Sequence, residues 1–231
     1  MIVVATTLAA FAMDRRDTYA AWLYTAEEVI ASHDDVRFFA AVQVDTRGTA
    51  PFVPLLEELA DLPVHVDYWS YSLDDGRTEV TTLNRQRHLT MGENLCSDYA
   101  TGEGASHLLF CAADCAPPGD VLPKLVEVDA PVAAAHVSTY CLDGDRDAGY
   151  AFPHHAGPFT AACVLLRRDA FKQLKWRYDP DLGMTDDPAM AFDVLHKFGQ
   201  HPITRRDCLA QHYPMSIGAI ETRGHDMQVH R

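Results

Sequence analysis

The first 130 residues alternate between short β-branched or aromatic runs and longer segments with helical spacing of apolar residues, and this alternation constrains the fold most. The strand-like runs lie at 2–5, 36–44, 64–69 and 107–111. The helix-like segments lie at 17–32, 52–62 and 89–100. Strands that alternate with amphipathic helices form a mostly parallel sheet, because each crossover packs a helix onto a sheet face. The sequence therefore predicts an α/β fold with a mostly parallel central sheet and flanking helices.

The second half of the chain is less regular, as expected if it builds a substrate site on that sheet. We predict strands at 132–140, 160–166, 203–206 and 208–213, and helices at 121–128, 169–174 and 186–198. A long loop rich in Gly, Asp, His and Pro is predicted for residues 142–158. With 231 residues, the chain suits one domain over 1–215, followed by a polar tail over 216–231.

The formal charge of −14 argues against non-specific binding of nucleic acid, because an acidic surface repels a phosphate backbone. It does not exclude one local basic groove. Basic residues cluster at 84–88, 167–168 and 205–206, which fits a small anionic ligand better than a long polyanion. The apolar N-terminal run has no basic residue before it, and no run reaches the length of a membrane span. We therefore expect a cytoplasmic protein without a membrane partner.

The six cysteines are scattered, and most of them stand in apolar runs. No CxxC pair is present, so the spacing gives no support to a zinc ribbon or a thioredoxin-like motif. We expect buried, reduced core residues, which is the usual state of a free cysteine in a globular protein.

Two aspartates directly follow predicted strands, where parallel sheets gather their ligands. Asp45 follows the second strand, and Asp114 follows the strand that ends at Cys111. A carboxylate at either place can hold a sugar hydroxyl, a base edge or a divalent metal. Asp45 can equally be a turn former before Gly48, and Asp114 can be a helix cap before Pro117.

Three segments follow one another in a recognisable order. A helix leads into the strand at 107–111, which is followed by Ala112-Ala113-Asp114, prolines and a helix. A strand, two arginines and a helix follow at 159–171, and an acidic pair begins a helix at 186–198. This order resembles the GT-A glycosyltransferases, of the family-2-like kind, in which a DxD motif stands at the position of 112–114 and many members have a late metal-binding histidine at the position of His212.

The resemblance implies a single-domain GT-A-like fold that binds a nucleoside-diphosphate sugar. It makes Asp114 and His212 the ligands of Mn²⁺ or Mg²⁺, with the diphosphate supplying further oxygens. Ala112 stands in place of the first DxD aspartate, so the motif is degenerate. Arginines could also neutralise the diphosphate in place of a metal. The residues predicted to contact the nucleotide are Thr6, Asp45, Arg85, Arg87, Asp114 and Arg167.

The acidic pair at the start of the last helix is the predicted catalytic centre. Asp187 is the expected general base that activates an acceptor hydroxyl, with Asp186 as the second choice. Both can instead be caps, because the helix macrodipole favours acids at this position, and the same dipole makes a carboxylate there a weaker base.

We therefore expect a metal-dependent hexosyl- or pentosyltransferase that acts on a glycan, a small molecule or a modified nucleobase in DNA. The alternative is a catalytically silent nucleotide-sugar-binding or scaffold protein, which Ala112 favours. A nucleotidyltransferase on a related fold is less favoured, because no glycine follows the first strand to build a phosphate loop.

Overall fold

The computed structural model describes residues 1–8, 35–44, 63–70, 82–113, 115–140, 147–149, 159–178 and 186–212. The predicted helices at 17–32 and 52–62, most of the loop at 142–158 and the tail at 216–231 lie outside these residues.

Nine strands and four helices make up the described part of the chain. The strands are β1 (Ile2–Leu8), β2 (Val36–Val44), β3 (Val64–Ser70), β4 (His107–Cys111), β5 (Cys115–Ala116), β6 (Val132–Tyr140), β7 (Asp147–Gly149), β8 (Cys163–Arg167) and β9 (Ile203–His212). The helices are α1 (Thr82–Gly102), α2 (Val121–Val126), α3 (Arg168–Gln173) and α4 (Asp186–Phe198).

These strands form one sheet in the order β3-β2-β1-β4-β8-β6-β9-β5, with β7 paired to β6. Strands β1, β2, β3 and β4 are parallel to one another. Strand β8 is antiparallel to both β4 and β6, so β6 and its parallel neighbour β9 run in the same direction as β4. Strands β5 and β7 run the other way. The sheet is therefore mostly parallel, as the sequence predicted.

Apolar side chains fill both faces of the sheet, because successive residues of a strand point to opposite faces. In β1, Val4 and Leu8 belong to one core cluster together with Leu122 and Leu125 of α2. Val3 and Ala5 belong to the other cluster, together with Cys96 and Ala100 of α1. Helices therefore cover the two faces, as expected for strands buried on both sides.

The second half differs from its predicted elements at strand boundaries and in two short strands, β5 and β7, that the sequence did not predict. Strand β7 lies within the predicted loop at 142–158. Strand β8 begins at Cys163, three residues later than predicted, and α4 has the predicted bounds. The two short final strands are one strand, β9, whose register shifts where β6 passes from Ala135 to His136. Residues 206–208 of β9 form a bulge-like irregularity at this point, and pairing with β6 resumes at Leu209.

None of the helices in the described residues is long and apolar enough to cross a membrane.

Candidate functional site

Most strands of the sheet end at one edge, which we call the C-terminal edge. Strands β1, β2, β3, β4, β6 and β9 end there, and the antiparallel β8 begins there. Ligands of α/β proteins bind outside the carboxyl ends of the strands, since the connecting loops meet there. The predicted ligand-binding residues are therefore expected at this edge.

The predicted metal ligands come from chain segments that meet at this edge. In the antiparallel pairing of β5 with β9, Cys115 lies directly opposite His212. Asp114 immediately precedes Cys115; Asp114 itself and the side chain of His212 lie outside the described structure. Paired residues of an antiparallel ladder have Cα atoms about 5 Å apart. The backbone thus brings His212 next to the neighbour of Asp114.

Asp187 is tied to the same edge by its side chain. Its Oδ1 accepts a hydrogen bond of 2.8 Å from the backbone N–H of Ala161, just before β8. The next residue, Ala162, accepts a 2.7 Å hydrogen bond from the N–H of Ala112. Two backbone positions, Ala161 and Ala162, therefore link the Asp187 carboxylate to Ala112, just after β4. Asp186 is the first residue of α4, and its side chain is not among those described.

Among the predicted nucleotide-contacting residues that the structure describes, all but Arg167 lie on elements at or near this edge. Thr6 is fully buried near the end of β1, and its hydroxyl has no hydrogen-bond partner in the part of the chain that the structure describes. Asp45 comes directly after β2 and is outside the described residues. Arg85 and Arg87 lie in the first turns of α1, which follows β3 in the chain; their side chains are not described.

Arg167 is the exception, because it lies at the opposite edge. Strand β8 is antiparallel to β4, so its last residue Arg167 pairs with His107, where β4 begins. Its guanidinium donates two hydrogen bonds to Asp169, of 2.8 and 2.9 Å, and lies 3.6 Å from Asp129. The hydrogen bonds raise the pKa of Arg167 and lower that of Asp169. The prediction that Arg167 binds the diphosphate does not agree with this placement.

A set of buried hydrogen bonds holds the chain between α3 and α4 against α1. The Asn94 side chain accepts from the N–H of Trp176 at 3.2 Å and donates to the Trp176 carbonyl at 2.8 Å. The Trp176 indole N–H donates to the Ser97 hydroxyl at 3.1 Å. Arg177 binds both carboxylate oxygens of Asp193 in α4. These contacts position α4, and with it Asp187, relative to the sheet.

The pattern of the sequence does not predict this support. It assigns no role to Asn94 and indicates only packing for Trp176. The available signal is a polar amide in a helix whose neighbours Cys96 and Ala100 face the core. Such an amide needs partners once it is partly buried, and here the backbone of Trp176 supplies them.

Close packing at Gly92 brings α1 onto the ends of β1 and β3. A Cβ atom at Gly92 would lie 2.1 Å from Cγ2 of Thr7 and 3.1 Å from Cζ2 of Trp69. Trp69 is only 8% exposed, so its ring packs beneath α1. Its indole N–H has no hydrogen-bond partner among the described residues. Only a glycine allows this approach.

The donor set at the C-terminal edge fits a metal ion in part. The described residues contain no group of three His, Cys, Asp or Glu side chains able to hold a metal. Ala112 supplies no ligand: its methyl group packs against the core, and its N–H is bound to Ala162. Of the predicted ligands, Asp114 and the side chain of His212 lie outside the described structure, and two protein ligands are fewer than the six positions of an octahedral ion.

The fold is that of the GT-A glycosyltransferases. The chain superposes on the crystal structure of GalNAc-T7 with UDP, GalNAc and Mn²⁺ with a TM-score of 0.59 and 13% identity, covering 94% of this chain and 44% of that chain. This similarity shows a shared fold only. An identity of 13% gives no information about the roles of individual residues.

Two further glycosyltransferase structures match less closely. GlyE of Streptococcus pneumoniae TIGR4 has a TM-score of 0.47 and 14% identity, over 90% of this chain and 46% of that chain. An active-site mutant of LgtC has a TM-score of 0.46 and 17% identity, over 88% of this chain and 72% of that chain. The chain thus spans less than half the length of GalNAc-T7 and GlyE. No protein-family model and no curated protein matches the sequence.

Proposed function

We propose that this chain binds a nucleoside-diphosphate sugar at the C-terminal edge of the sheet and transfers the sugar to an acceptor hydroxyl. One observation carries the proposal: three contacts converge at the end of β4. These are the ladder pairing of Cys115 with His212, the hydrogen bond from Ala161 to Asp187, and the hydrogen bond from Ala112 to Ala162. These contacts join three distant parts of the sequence, which supports the proposal that Asp114, Asp187 and His212 act at one site.

In this proposal Asp114 and His212 would hold the cation that accompanies the diphosphate. When bound, the ion neutralises the phosphate charge that grows as the sugar leaves. The imidazole favours Mn²⁺ over Mg²⁺, because Mg²⁺ prefers an all-oxygen shell. The remaining positions belong to phosphate oxygens and water, so the ion and the nucleotide are expected to bind together.

Asp187 is the proposed general base. Its carboxylate removes the proton of the acceptor hydroxyl while that oxygen forms a bond to the anomeric carbon and the bond to the diphosphate breaks. The reaction inverts the anomeric centre. The hydrogen bond from Ala161 fixes one carboxylate oxygen and so orients the group. Arg85 and Arg87 are proposed to add positive charge on the leaving-group side.

A silent nucleotide-sugar-binding protein is the second candidate, and Ala112 is the observation that favours it. Without a second carboxylate, the ion is held less firmly at the moment when the leaving group needs it most. Turnover separates the two candidates, because both predict binding.

The test measures release of nucleoside diphosphate from UDP-, GDP- and dTDP-sugars with Mn²⁺, using the wild type, Asp187→Asn and Asp187→Ala. The asparagine keeps an oxygen that can accept from Ala161 but cannot take a proton. We expect it to bind the donor normally and to lose turnover by about 100-fold or more. Asp187→Ala should lose turnover equally and also melt at a lower temperature, since it loses the Ala161 contact. Wild-type binding without release would favour the silent protein, and full activity in Asp187→Asn would exclude Asp187 as the base.

A further inference from the structure

Two buried cysteines face each other across β4 and β8. Cys111 is the last residue of β4, Cys163 is the first residue of β8, and they are paired in the antiparallel ladder. Their sulfur atoms are 3.7 Å apart, and neither side chain is exposed. Both belong to the core cluster that packs against α2, so the two side chains leave the sheet on the same face.

The backbone geometry at this pair suits a disulfide. Ala112 donates its N–H to Ala162, which makes 112 and 162 a hydrogen-bonded pair. Because the two kinds of pair alternate along an antiparallel ladder, Cys111 and Cys163 form a non-hydrogen-bonded pair, with Cα atoms about 4.5 Å apart. That separation falls within the range that disulfides span, about 4.4–6.8 Å. Small side-chain rotations bring the two sulfurs to bonding distance.

We propose that Cys111 and Cys163 are a thiol–disulfide modification site, which a hydroperoxide closes to a disulfide between β4 and β8 and a thiol reductant reopens. This proposal is independent of the proposed glycosyl transfer. The bond would lie one residue from Ala112 and Ala162, and would therefore fix the strand ends at the C-terminal edge covalently.

The reaction balances with one equivalent of hydrogen peroxide. The Cys111 sulfur attacks one peroxide oxygen, the O–O bond breaks, and the leaving hydroxide takes the Cys111 proton, which gives a sulfenic acid and one water. The Cys163 sulfur then attacks the sulfenic sulfur, the S–O bond breaks, and the leaving hydroxide takes the Cys163 proton to form a second water. The hydrogen bond with Cys111 and, after it, burial raise the pKa of Cys163 well above the usual value, which slows attack by its sulfur.

The competing outcome is a disulfide with another cysteine of the same core. Cys115 and Cys208 belong to the same cluster as the pair, and burial raises the pKa of Cys208 to about 12. Cys96 lies in the other core cluster, with its thiol donating to the Thr6 carbonyl. Cys96 is therefore the matched control, buried to the same degree but without a facing thiol in the described residues.

The experiment exposes the folded wild-type chain to hydrogen peroxide, alkylates the remaining thiols and maps the peptides without reductant. We expect a peptide that joins Cys111 to Cys163, a loss of two of the six thiols, and recovery of all six with dithiothreitol. Closure should be slower than oxidation of free glutathione, since both thiols are buried. Cys96→Ala should keep the link and Cys163→Ala should lose it. The proposal is overturned by a link from Cys163 to Cys208 instead, by sulfinic acid at Cys111 without a link, or by six intact thiols after an exposure many times longer than the one that fully oxidises glutathione.

Discussion

The two edges of the sheet use their polar residues in different ways. At the edge where β4 begins, charged groups bind one another: Arg167 binds Asp169 and Asp129, and Arg37 binds Glu103. At the C-terminal edge, the described contacts instead involve the backbone. The Asp187 carboxylate, for example, accepts a hydrogen bond from the N–H of Ala161. The first edge carries surface ion pairs, and the second has a framework of contacts to the backbone beside the proposed ligands. A basic residue at a strand end is therefore evidence of a ligand site only when its edge is known.

The largest predicted effect concerns the framework beneath the C-terminal edge. Asn94→Ala removes both hydrogen bonds to Trp176, leaving a backbone N–H and a carbonyl without partners. We expect a loss of about 3 kcal/mol in the free energy of unfolding, measured by urea denaturation. Asp98→Ala, one turn later in α1, removes only the exposed ion pair with Lys175 and should cost less than about 0.5 kcal/mol. Equal effects of the two variants would mean that the Asn94 contacts carry no special weight.

Substitution of two glycines in α1 compares how tightly this helix packs near the two edges. Gly92→Ala places a methyl group against Thr7, a stiff β-branched residue, and should destabilise the chain by about 2 kcal/mol in thermal unfolding. Gly102, at the far end of α1, has nothing within 4 Å of the corresponding position. Gly102→Ala should therefore be neutral or stabilise the chain by up to about 1 kcal/mol. Destabilisation by Gly102→Ala alone would contradict this view of the packing.

Ala112→Asp adds a carboxylate just after β4, at the position where the resemblance has the first aspartate of a DxD motif. A second carboxylate at the end of β4 would raise the affinity for Mn²⁺ in the presence of nucleoside diphosphate by about tenfold, or about 1.4 kcal/mol. Ala112→Asn has nearly the same shape without the charge, and should gain much less. Calorimetric titration of Mn²⁺ into each variant measures the difference. An equal gain in both variants would show that charge at this position does not act on the ion.

The smallest effect is expected at the opposite edge. Arg167 lowers the pKa of Asp169, so the pair stabilises the fold above the unfolded carboxyl pKa of about 3.9 and loses that contribution as the pH falls through the lower folded pKa. Both side chains are partly exposed, so Arg167→Ala should cost less than about 1 kcal/mol at pH 7. The difference from wild type should shrink below about pH 4. A difference that grows with acidity would contradict the assigned ion pair.

The sequence predicted the fold better than it predicted the site. The alternating strand and helix patterns were enough to predict a mostly parallel sheet. The spacing of hydrophobic residues indicates the type of each element, and helical crossovers connect parallel strands. The sequence could not show at which edge of the sheet Arg167 lies, since an apolar run such as 163–167 looks the same in a parallel and an antiparallel strand. The bulge in β9 was predicted as a break for a similar reason: Asp207 interrupts the apolar pattern, but ladder pairing continues past it.

The most direct test of the C-terminal-edge site is calorimetric titration of UDP, GDP and dTDP, each with Mn²⁺, into wild type, Asp114→Ala and Arg167→Ala. We predict that at least one nucleotide binds the wild type, that Asp114→Ala abolishes the metal-dependent part of the affinity, and that Arg167→Ala binds as wild type does. Absence of binding by every nucleotide, or loss of binding in Arg167→Ala with Asp114→Ala unaffected, would contradict the assignment of the site to this edge.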